Sequence, residues 1–185
     1  MSTMTNGNGF LCDFLPENYE APQGNSGYMK LQDGENRIRI LSRPIIGWLD
    51  WKDKKPFRFR FNQRPEKPLE KGPIKHFWAF LVWNYTDQAV QILEVTQATI
   101  QKVITDLSKN EEWGAPFYYD LKITRKGKDL DTEYSVMPSP KKDLLPEIKQ
   151  AALDKPAYLD ALYDGADPWV VSDKHTEYAF ESLPF

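Results

Sequence analysis

The chain has 185 residues, enough for one domain with extensions or two small ones, and 41% of them are hydrophobic, so wholesale disorder is excluded. No apolar run approaches the ~18 residues that cross a bilayer, and no signal-peptide pattern is present. A single cysteine, Cys12, excludes an internal disulfide and a zinc site built from several cysteines. We therefore expect a soluble cytoplasmic protein.

The net charge of -3 conceals an uneven distribution along the chain. Residues 1–29 carry -3, residues 30–142 carry +6 and residues 143–185 carry -6. Chance clustering is one explanation of this pattern. The functional explanation is a core that binds polyanions, joined to an acidic tail that can compete for the same surface.

The first part of the chain predicts an arm and then a bent strand. Residues 1–27 are punctuated by glycine and proline and show no periodicity, which is typical of a flexible arm. Ordered structure is expected from Tyr28. Within 36–51, arginine alternates with isoleucine, which predicts one long strand with its arginines facing outward and a bend at Pro44.

Further strands and one helix complete the middle of the chain. Over 57–61, phenylalanine alternates with arginine, which predicts rings inside and guanidinium groups outside. Residues 74–95 predict an apolar hairpin. Apolar residues at i, i+3, i+4 and i+7 from Ile100 predict a helix, and a closing hairpin follows over 118–137 around a basic turn.

This order of elements predicts a mainly β protein. We expect an OB-fold: a five-stranded barrel with one helix between strands 3 and 4. A short C-terminal helix starting at Pro146 and an acidic tail complete the chain. The expected parts are a flexible arm over 1–27, an OB-fold core over 28–142 and an acidic extension over 143–185.

Aromatic and basic residues interleave over 48–85, a mixture suited to single-stranded nucleic acid. Bases stack on rings at ~1–3 kcal/mol each, and phosphates require cations along the groove. Rings near strand ends stay exposed, and outward cations form rows on neighbouring strands. The predicted nucleic-acid-binding residues are Arg37, Arg39, Trp48, Trp51, Lys54, Lys55, Arg58, Arg60, Lys75, Trp83, Tyr85, Lys122 and Arg125.

Catalysis is poorly supported by the residues. The two histidines, His76 and His175, are distant and lack partners at ligand spacing. Carboxylates such as Glu94, Asp120 and Asp131 could form the metal site of a structure-specific nuclease, although surface placement also explains them. That nuclease and an OB-like protein-interaction scaffold are the alternatives to a nucleic-acid-binding protein.

The C-terminal residues predict a tip that binds partner proteins. An acidic stretch ends in Leu-Pro-Phe, where the proline limits the conformations of the last ring and so reduces the entropy lost on docking. An ordinary frayed end is the alternative. The predicted partner-binding residues are Glu181, Leu183, Pro184 and Phe185.

Four segments are distinctive in their order and spacing. They are YMKLQDGENRIRIL (28–41), KHFWAFLVWNY (75–85), ILEVTQ (92–97) and YDLKITRKG (119–127). Together they resemble the tailed-phage single-stranded-DNA-binding proteins that serve replication and recombination.

The resemblance implies an OB-fold, no catalysis and sequence-tolerant coating of single-stranded DNA. The Leu-Pro-Phe ending is similar to the acidic tip with which such proteins recruit polymerases, helicases and recombinases. Some relatives hold a structural zinc through cysteines and histidine. Because this chain has one cysteine, we expect no metal and no cofactor.

Overall fold

The computed structural model describes residues 27–185, so the predicted arm lies outside the described residues apart from Gly27. The strands are β1 (Tyr28–Met29), β2 (Gly34–Ile40), β3 (Ile45–Lys52), β4 (Lys55–Arg60), β5 (Lys75–Asn84), β6 (Ala89–Val95), β7 (Leu121–Lys126) and β8 (Glu133–Pro138). The helices are α1 (Ala98–Lys109), α2 (Pro146–Asp154) and α3 (Asp173–Glu181), with 3-10 turns at Phe61–Gln63, Asp129–Asp131 and Leu159–Asp164. None of these helices has the length and apolar character to cross a membrane.

The strands form a single sheet with β5 near its centre. One edge of β5 pairs with β6, which in turn pairs in parallel with β1. The other edge of β5 is shared, because β2 pairs with its C-terminal end and β3 with its N-terminal part. The predicted long strand over 36–51 is therefore observed as two halves joined by a bend. Beyond these halves the sheet divides, with β7 and β8 beside β2, and β4 beside β3.

The sheet is open, which corrects the predicted five-stranded barrel. Its main path runs from β1 to β8, and no ladder joins those two ends within 27–185. Helix α1 occupies the gap: Ile100 and Ile104 lie in the same core as Leu93 of β6 and Val136 of β8. The described chain is mixed α/β rather than mainly β.

Two hydrophobic cores lie on opposite faces of β5. Phe80 and Val82 belong to the core that contains α1, whereas Phe77 and Leu81 belong to the second core. Successive side chains of a strand point to opposite faces, so a strand buried on both sides is apolar at every position. This double burial explains the continuous apolar run of β5.

The C-terminal extension covers the second face of the sheet. Helix α2 begins at Pro146 as predicted, and Ile148, Leu159 and Leu183 are buried against β5 and β6. The acidic stretch before the Leu-Pro-Phe ending forms α3, which buries only Ala179 of its own residues. A helix with one buried position leaves no apolar stripe in the sequence, so the periodicity could not reveal it.

A tight turn fixes how β3 and β4 face each other. Asp53 and Lys54 both have positive φ, at 50° and 61°, as a two-residue type I′ hairpin requires. The resulting register places Trp48 opposite Phe59, and Lys52 opposite Lys55. This register decides which side chains of the hairpin share a face.

Gly47 allows the close approach of β4 to β3, and Gly47→Ala tests this requirement. A Cβ at this position would lie 2.0 Å from the carbonyl oxygen of Phe59, which is backbone and cannot move aside. We expect Gly47→Ala to lower the free energy of unfolding by about 2–3 kcal/mol in urea denaturation. Gly34→Ala is the matched control, since it meets no atom within 4 Å and costs about 1 kcal/mol for its positive φ. Equal losses in the two variants would contradict the steric explanation.

Candidate nucleic-acid interface

One face of the β3–β4 hairpin and the start of β5 carries a group of partly exposed rings. Cross-strand partners point to the same side of a sheet, and Trp48 is the partner of both Phe59 and His76. We call this surface the aromatic face; it consists of Ile46, Trp48, Phe57, Phe59, Phe61, His76 and Trp78. Phe57 is 42% exposed and Phe61 is 55% exposed, so the face is open to solvent.

Four rings of the aromatic face are held by contacts with one another or with the backbone: Trp48, Phe61, His76 and Trp78. Trp48 stacks on Phe61 with centroids 5.8 Å apart and planes 13° apart, and its Nε1 donates to the Phe61 carbonyl at 2.9 Å. His76 lies 5.1 Å from Trp48. Nε2 of His76 accepts from Nε1 of Trp78 at 3.1 Å, so its Nδ1 carries the proton and donates to the carbonyl of Gly47 at 2.8 Å. These contacts preorganise the rings before any ligand arrives.

Cations without acidic partners border the aromatic face. The guanidinium carbon of Arg64 lies 4.6 Å from the centre of the Trp48 ring, a cation–π distance. Lys52 and Lys55 oppose each other at the end of the hairpin, on the same side as Phe57 by register, and both are exposed. None of these three forms an ion pair with another described residue.

The structure reverses the predicted orientation of β4. The rings of Phe57 and Phe59 were expected inside, with Arg58 and Arg60 outside. Arg58 instead bonds Glu94 of β6 at 2.6 Å, and Arg60 bonds Asp160 of the C-terminal extension at 3.0 Å. The extension covers the arginine side of the hairpin, which leaves the phenylalanine side to solvent. Neither arginine is therefore free for a phosphate in this conformation.

Arg39 is the second correction, because it is 1% exposed and not on an outward row. Its Nε donates to Asp120 at 2.8 Å, and its terminal nitrogens donate to the carbonyls of Phe117 and Lys142. Arg37 also donates to Asp120 but remains partly open, with its guanidinium 4.4 Å from the centre of the Tyr85 ring. Asp120 thus engages both arginines of β2.

Asp120 is a fully buried carboxylate held by four side chains. It accepts hydrogen bonds from Arg37, Arg39 and Tyr85, and the ammonium of Lys142 lies 3.2 Å away. Burial alone would raise the pKa of Asp120, but the hydrogen bonds from these groups outweigh it and hold the pKa below its usual value. Burial, followed by the bond to this carboxylate, raises the pKa of Tyr85 to about 12. We call this arrangement the Asp120 cluster.

The remaining predicted residues lie at several places around the sheet. Trp51 and Lys54 are exposed at the tip of the β3–β4 hairpin, and Lys75 is exposed at the start of β5 on the side opposite the aromatic face. Trp83 is half-buried against the second core. Of the predicted residues, the structure thus brings only Trp48 onto the aromatic face and only Lys55 to its border.

Two predicted cations of β7 have partners of their own. Lys122 is partly exposed and lies 3.7 Å from Glu35, a loose surface ion pair. Arg125 is half-buried and donates to the carbonyl of Leu31 at 3.3 Å. Lys122 lies beside Arg37 by register and so borders the Asp120 cluster, whereas Arg125 belongs to neither surface.

Several candidate residues were missed by sequence reasoning, among them Arg64 and the three phenylalanines over 57–61. The missed signal is the acidic composition of the extension, which offers a carboxylate to Arg60. Alternation shows that two faces differ, but it does not show which face is covered.

The carboxylates considered for a nuclease do not converge. Glu94 is paired with Arg58, Asp120 is surrounded by cations, and Asp131 lies in the turn between β7 and β8. Within residues 27–185, no group of three or more His, Cys, Asp or Glu side chains is arranged to hold a metal ion.

The predicted partner-binding residues lie at the end of α3 and beyond it. Leu183 is buried in the second core, and the backbone N–H of Arg43 donates to the carbonyl of Ser182 at 3.2 Å. Glu181, Pro184 and Phe185 are exposed. The end of the described chain is therefore attached to the sheet through Leu183 while its neighbours face solvent.

Comparison with known proteins bears on the ligand of these surfaces. No family model and no solved structure matches the chain. The chain is 30% identical over 139 residues to a protein of Escherichia phage T5 described as a probable ssDNA-binding protein. The match covers 59% of this chain and 53% of that relative, so the chain spans about half the relative's length. The resemblance to phage single-stranded-DNA-binding proteins is thereby confirmed.

The Asp120 cluster predicts a pH-dependent contribution to stability. Asp120→Asn should lower the free energy of unfolding at pH 7 by about 3–5 kcal/mol, because Arg39 would be left buried without its anion. A carboxyl whose pKa is depressed by folding stabilises the protein above its unfolded pKa of about 3.9 and loses that effect as the pH falls through the folded value. In urea denaturation, the difference in the free energy of unfolding between wild type and Asp120→Asn should therefore become smaller as the pH falls from 7 to 3 and below.

Asp106→Asn is the control for this measurement. Asp106 forms an exposed ion pair with Lys102 on α1, and such pairs contribute less than about 1 kcal/mol. If the difference in the free energy of unfolding between wild type and Asp120→Asn stays the same at low pH, Asp120 stabilises the protein without its charge.

Proposed function

We propose that this protein binds and coats single-stranded DNA without strong sequence preference during phage DNA replication and recombination, in the cytoplasm of the host cell. The observation that carries the proposal is the aromatic face, where ordered rings are exposed beside cations without acidic partners. The similarity to the phage T5 protein supports the same ligand. Large exposed apolar surfaces on soluble proteins usually mark a binding site.

The aromatic face offers what an unpaired strand requires. Each base presents a π-face that stacks on an aromatic ring at about 1–3 kcal/mol, and duplex DNA hides these faces. Phe57 and Phe61 are open for stacking, and Arg64, Lys52 and Lys55 are placed to meet phosphates. Stacking favours single strands, and the cations make the affinity depend on salt.

The polar groups of the aromatic face support tolerance of sequence. A protein reads bases by hydrogen bonds to their edges. The indole N–H groups of Trp48 and Trp78 and both ring nitrogens of His76 are already bonded within the protein. Without free side-chain donors among its rings, the face distinguishes bases only by how well they stack.

An open OB-type architecture is part of the proposal. The long strand bent between β2 and β3 borders both β5 and β7, and α1 follows β6 and packs between the sheet ends. OB-folds place one helix between their third and fourth strands and bind oligonucleotides across a strand face. The aromatic face lies on β3, β4 and β5, and at Trp78 it borders the core that contains α1.

Recruitment of a polymerase, helicase or recombinase through the C-terminal residues is the remaining part of the proposal. Glu181, Pro184 and Phe185 present an acidic group and an exposed ring next to each other in sequence. Leu183 contributes to the second core, so it is unavailable to a partner unless the end of the chain detaches. The ring of Phe185 is therefore the best-placed anchor.

Phe57→Ala and Phe61→Ala test the aromatic face directly. Each should weaken binding of oligo-dT about 5- to 150-fold at fixed salt, the equivalent of ~1–3 kcal/mol for one lost stack. The measurement is quenching of tryptophan fluorescence on titration with oligo-dT. Phe57 has no ring partner among the described residues, so its removal should leave the other rings in place.

Leu130→Ala is the control, because Leu130 is fully exposed in the turn between β7 and β8, outside the aromatic face. It should bind oligo-dT like the wild type. Wild-type affinity in both phenylalanine variants would place the DNA elsewhere. A wild-type protein that shows no quenching and no oligo-dT binding would favour the protein-interaction scaffold instead.

Phe185→Ala tests partner recruitment without disturbing the fold. Deleting 160–185 is unsuitable, because it would remove Leu162 and Leu183 from the second core. Phe185→Ala should weaken binding to the purified polymerase, helicase or recombinase at least tenfold by surface plasmon resonance. Phe180→Ala, an exposed phenylalanine on α3, is the matched control. Equal effects of both substitutions would contradict a role for the tip.

A further inference from the structure

A groove lies apart from the aromatic face, at the end of β2 and the start of α2. Its volume is about 790 Å³. We call it the lysine groove. It is lined by Arg39, Ile40, Phe117, Tyr118, Lys141, Lys142, Asp143, Leu144, Pro146, Lys149, Pro184 and Phe185. None of these residues belongs to the aromatic face.

Positive charge is concentrated in the lysine groove. Four cationic side chains line it against the single carboxylate of Asp143. Lys141 and Lys149 are exposed and form no ion pair with another described residue. Asp120, which lies behind the groove, is already shared among Arg37, Arg39 and Lys142. Two lysines that are unpaired among the described residues, Lys141 and Lys149, therefore face solvent in the groove against the one side-chain carboxylate of Asp143.

The groove is suited to phosphate groups and poorly suited to a peptide. The N–H of Lys142 donates to the Tyr118 carbonyl, and the Lys142 carbonyl accepts from Arg39. With its backbone N–H and carbonyl engaged, Lys142 cannot pair with an added peptide strand. Lysine ammonium groups bind phosphates as point charges, and the exposed ring of Tyr118, at 57%, offers a stacking surface next to them.

We infer that the lysine groove is a second nucleic-acid contact, at which Lys141 and Lys149 bind phosphates of a strand segment beyond the one on the aromatic face. The inference rests on the proposed function in taking a nucleic acid as the ligand. The same chain would then hold two segments of a strand, one through stacked bases and the other mainly through its backbone. Contacts of the second kind depend on salt and not on base identity.

The salt dependence of binding tests this inference with full-length protein. The ligand is oligo-dT of about 30 nucleotides, roughly twice the longest site of one OB-type domain. Each phosphate contact contributes about 0.7 to the slope of log K against log salt for a single strand. The double variant Lys141→Ala/Lys149→Ala should therefore lower the magnitude of that slope by about 1.4. Lys141→Arg/Lys149→Arg, which keeps both charges, should restore it.

The control is Lys109→Ala/Lys174→Ala, which removes two exposed lysines on α1 and α3 that do not line the groove. It should leave the slope unchanged. A slope equal to that of wild type in Lys141→Ala/Lys149→Ala would overturn the inference. The inference would also be overturned if Lys141→Ala/Lys149→Ala kept the wild-type slope but lost binding of a polyglutamate peptide. The groove would then bind an acidic protein segment.

Failure of the proposed function and failure of the lysine-groove inference give different experimental results. Wild-type affinity in Phe57→Ala and Phe61→Ala would refute stacking on the aromatic face, whereas the lysine variants are decided by their slope alone. The two lysine substitutions can also be combined with Phe57→Ala. If they lower the magnitude of the slope by the same amount of about 1.4 there, the groove acts independently of the aromatic face.

Discussion

A β-sheet has two faces, and the C-terminal extension of this protein covers only one of them. Leu159 and Leu183 pack against β5 and β6, and Asp160 reaches Arg60 at the edge of the hairpin. Arg60 is therefore held by the extension and Arg58 by Glu94 of β6, and the phenylalanines of β4 face solvent. Leaving the Phe57 ring 42% exposed forgoes part of the about 1.5–3 kcal/mol that full burial of such a side chain provides. A ligand that covers these rings would recover that energy.

Ion pairs within the protein also reduce the number of basic residues that are available to a ligand. The middle of the chain has an excess of positive charge, but Arg39, Arg58 and Arg60 are bonded to carboxylates inside the structure. Arginine suits such partly buried pairs, because its planar group donates several hydrogen bonds and is weakly hydrated. The cations left for an external anion are mostly lysines and Arg64. Charge in a sequence therefore overstates the charge that a ligand meets.

The elements that sequence predicted correctly are those set by local periodicity. Alternation over 36–51 and the apolar stripe from Ile100 reflect which side chains meet the nearest core, and both were observed. The faces of β4 depend on Asp160, which is 100 positions away from Arg60 in the chain, and the alternation is identical for either orientation. Arg39 was placed outward because alternation cannot reveal that Asp120 lies beneath it. Contacts distant in sequence, and not propensities, decided the candidate site.

The order within the aromatic face determines how much stacking can contribute. A mobile ring loses rotational freedom when a base settles on it, and that loss offsets part of the contact energy. Trp48 is already held by the Phe61 carbonyl, and His76 by Gly47 and Trp78. The entropy of ordering these rings is therefore lost during folding and not during binding. Because the bonds that order Trp48, His76 and Trp78 also occupy their polar atoms, the proposed stacking would come without groups on these rings that could read base edges.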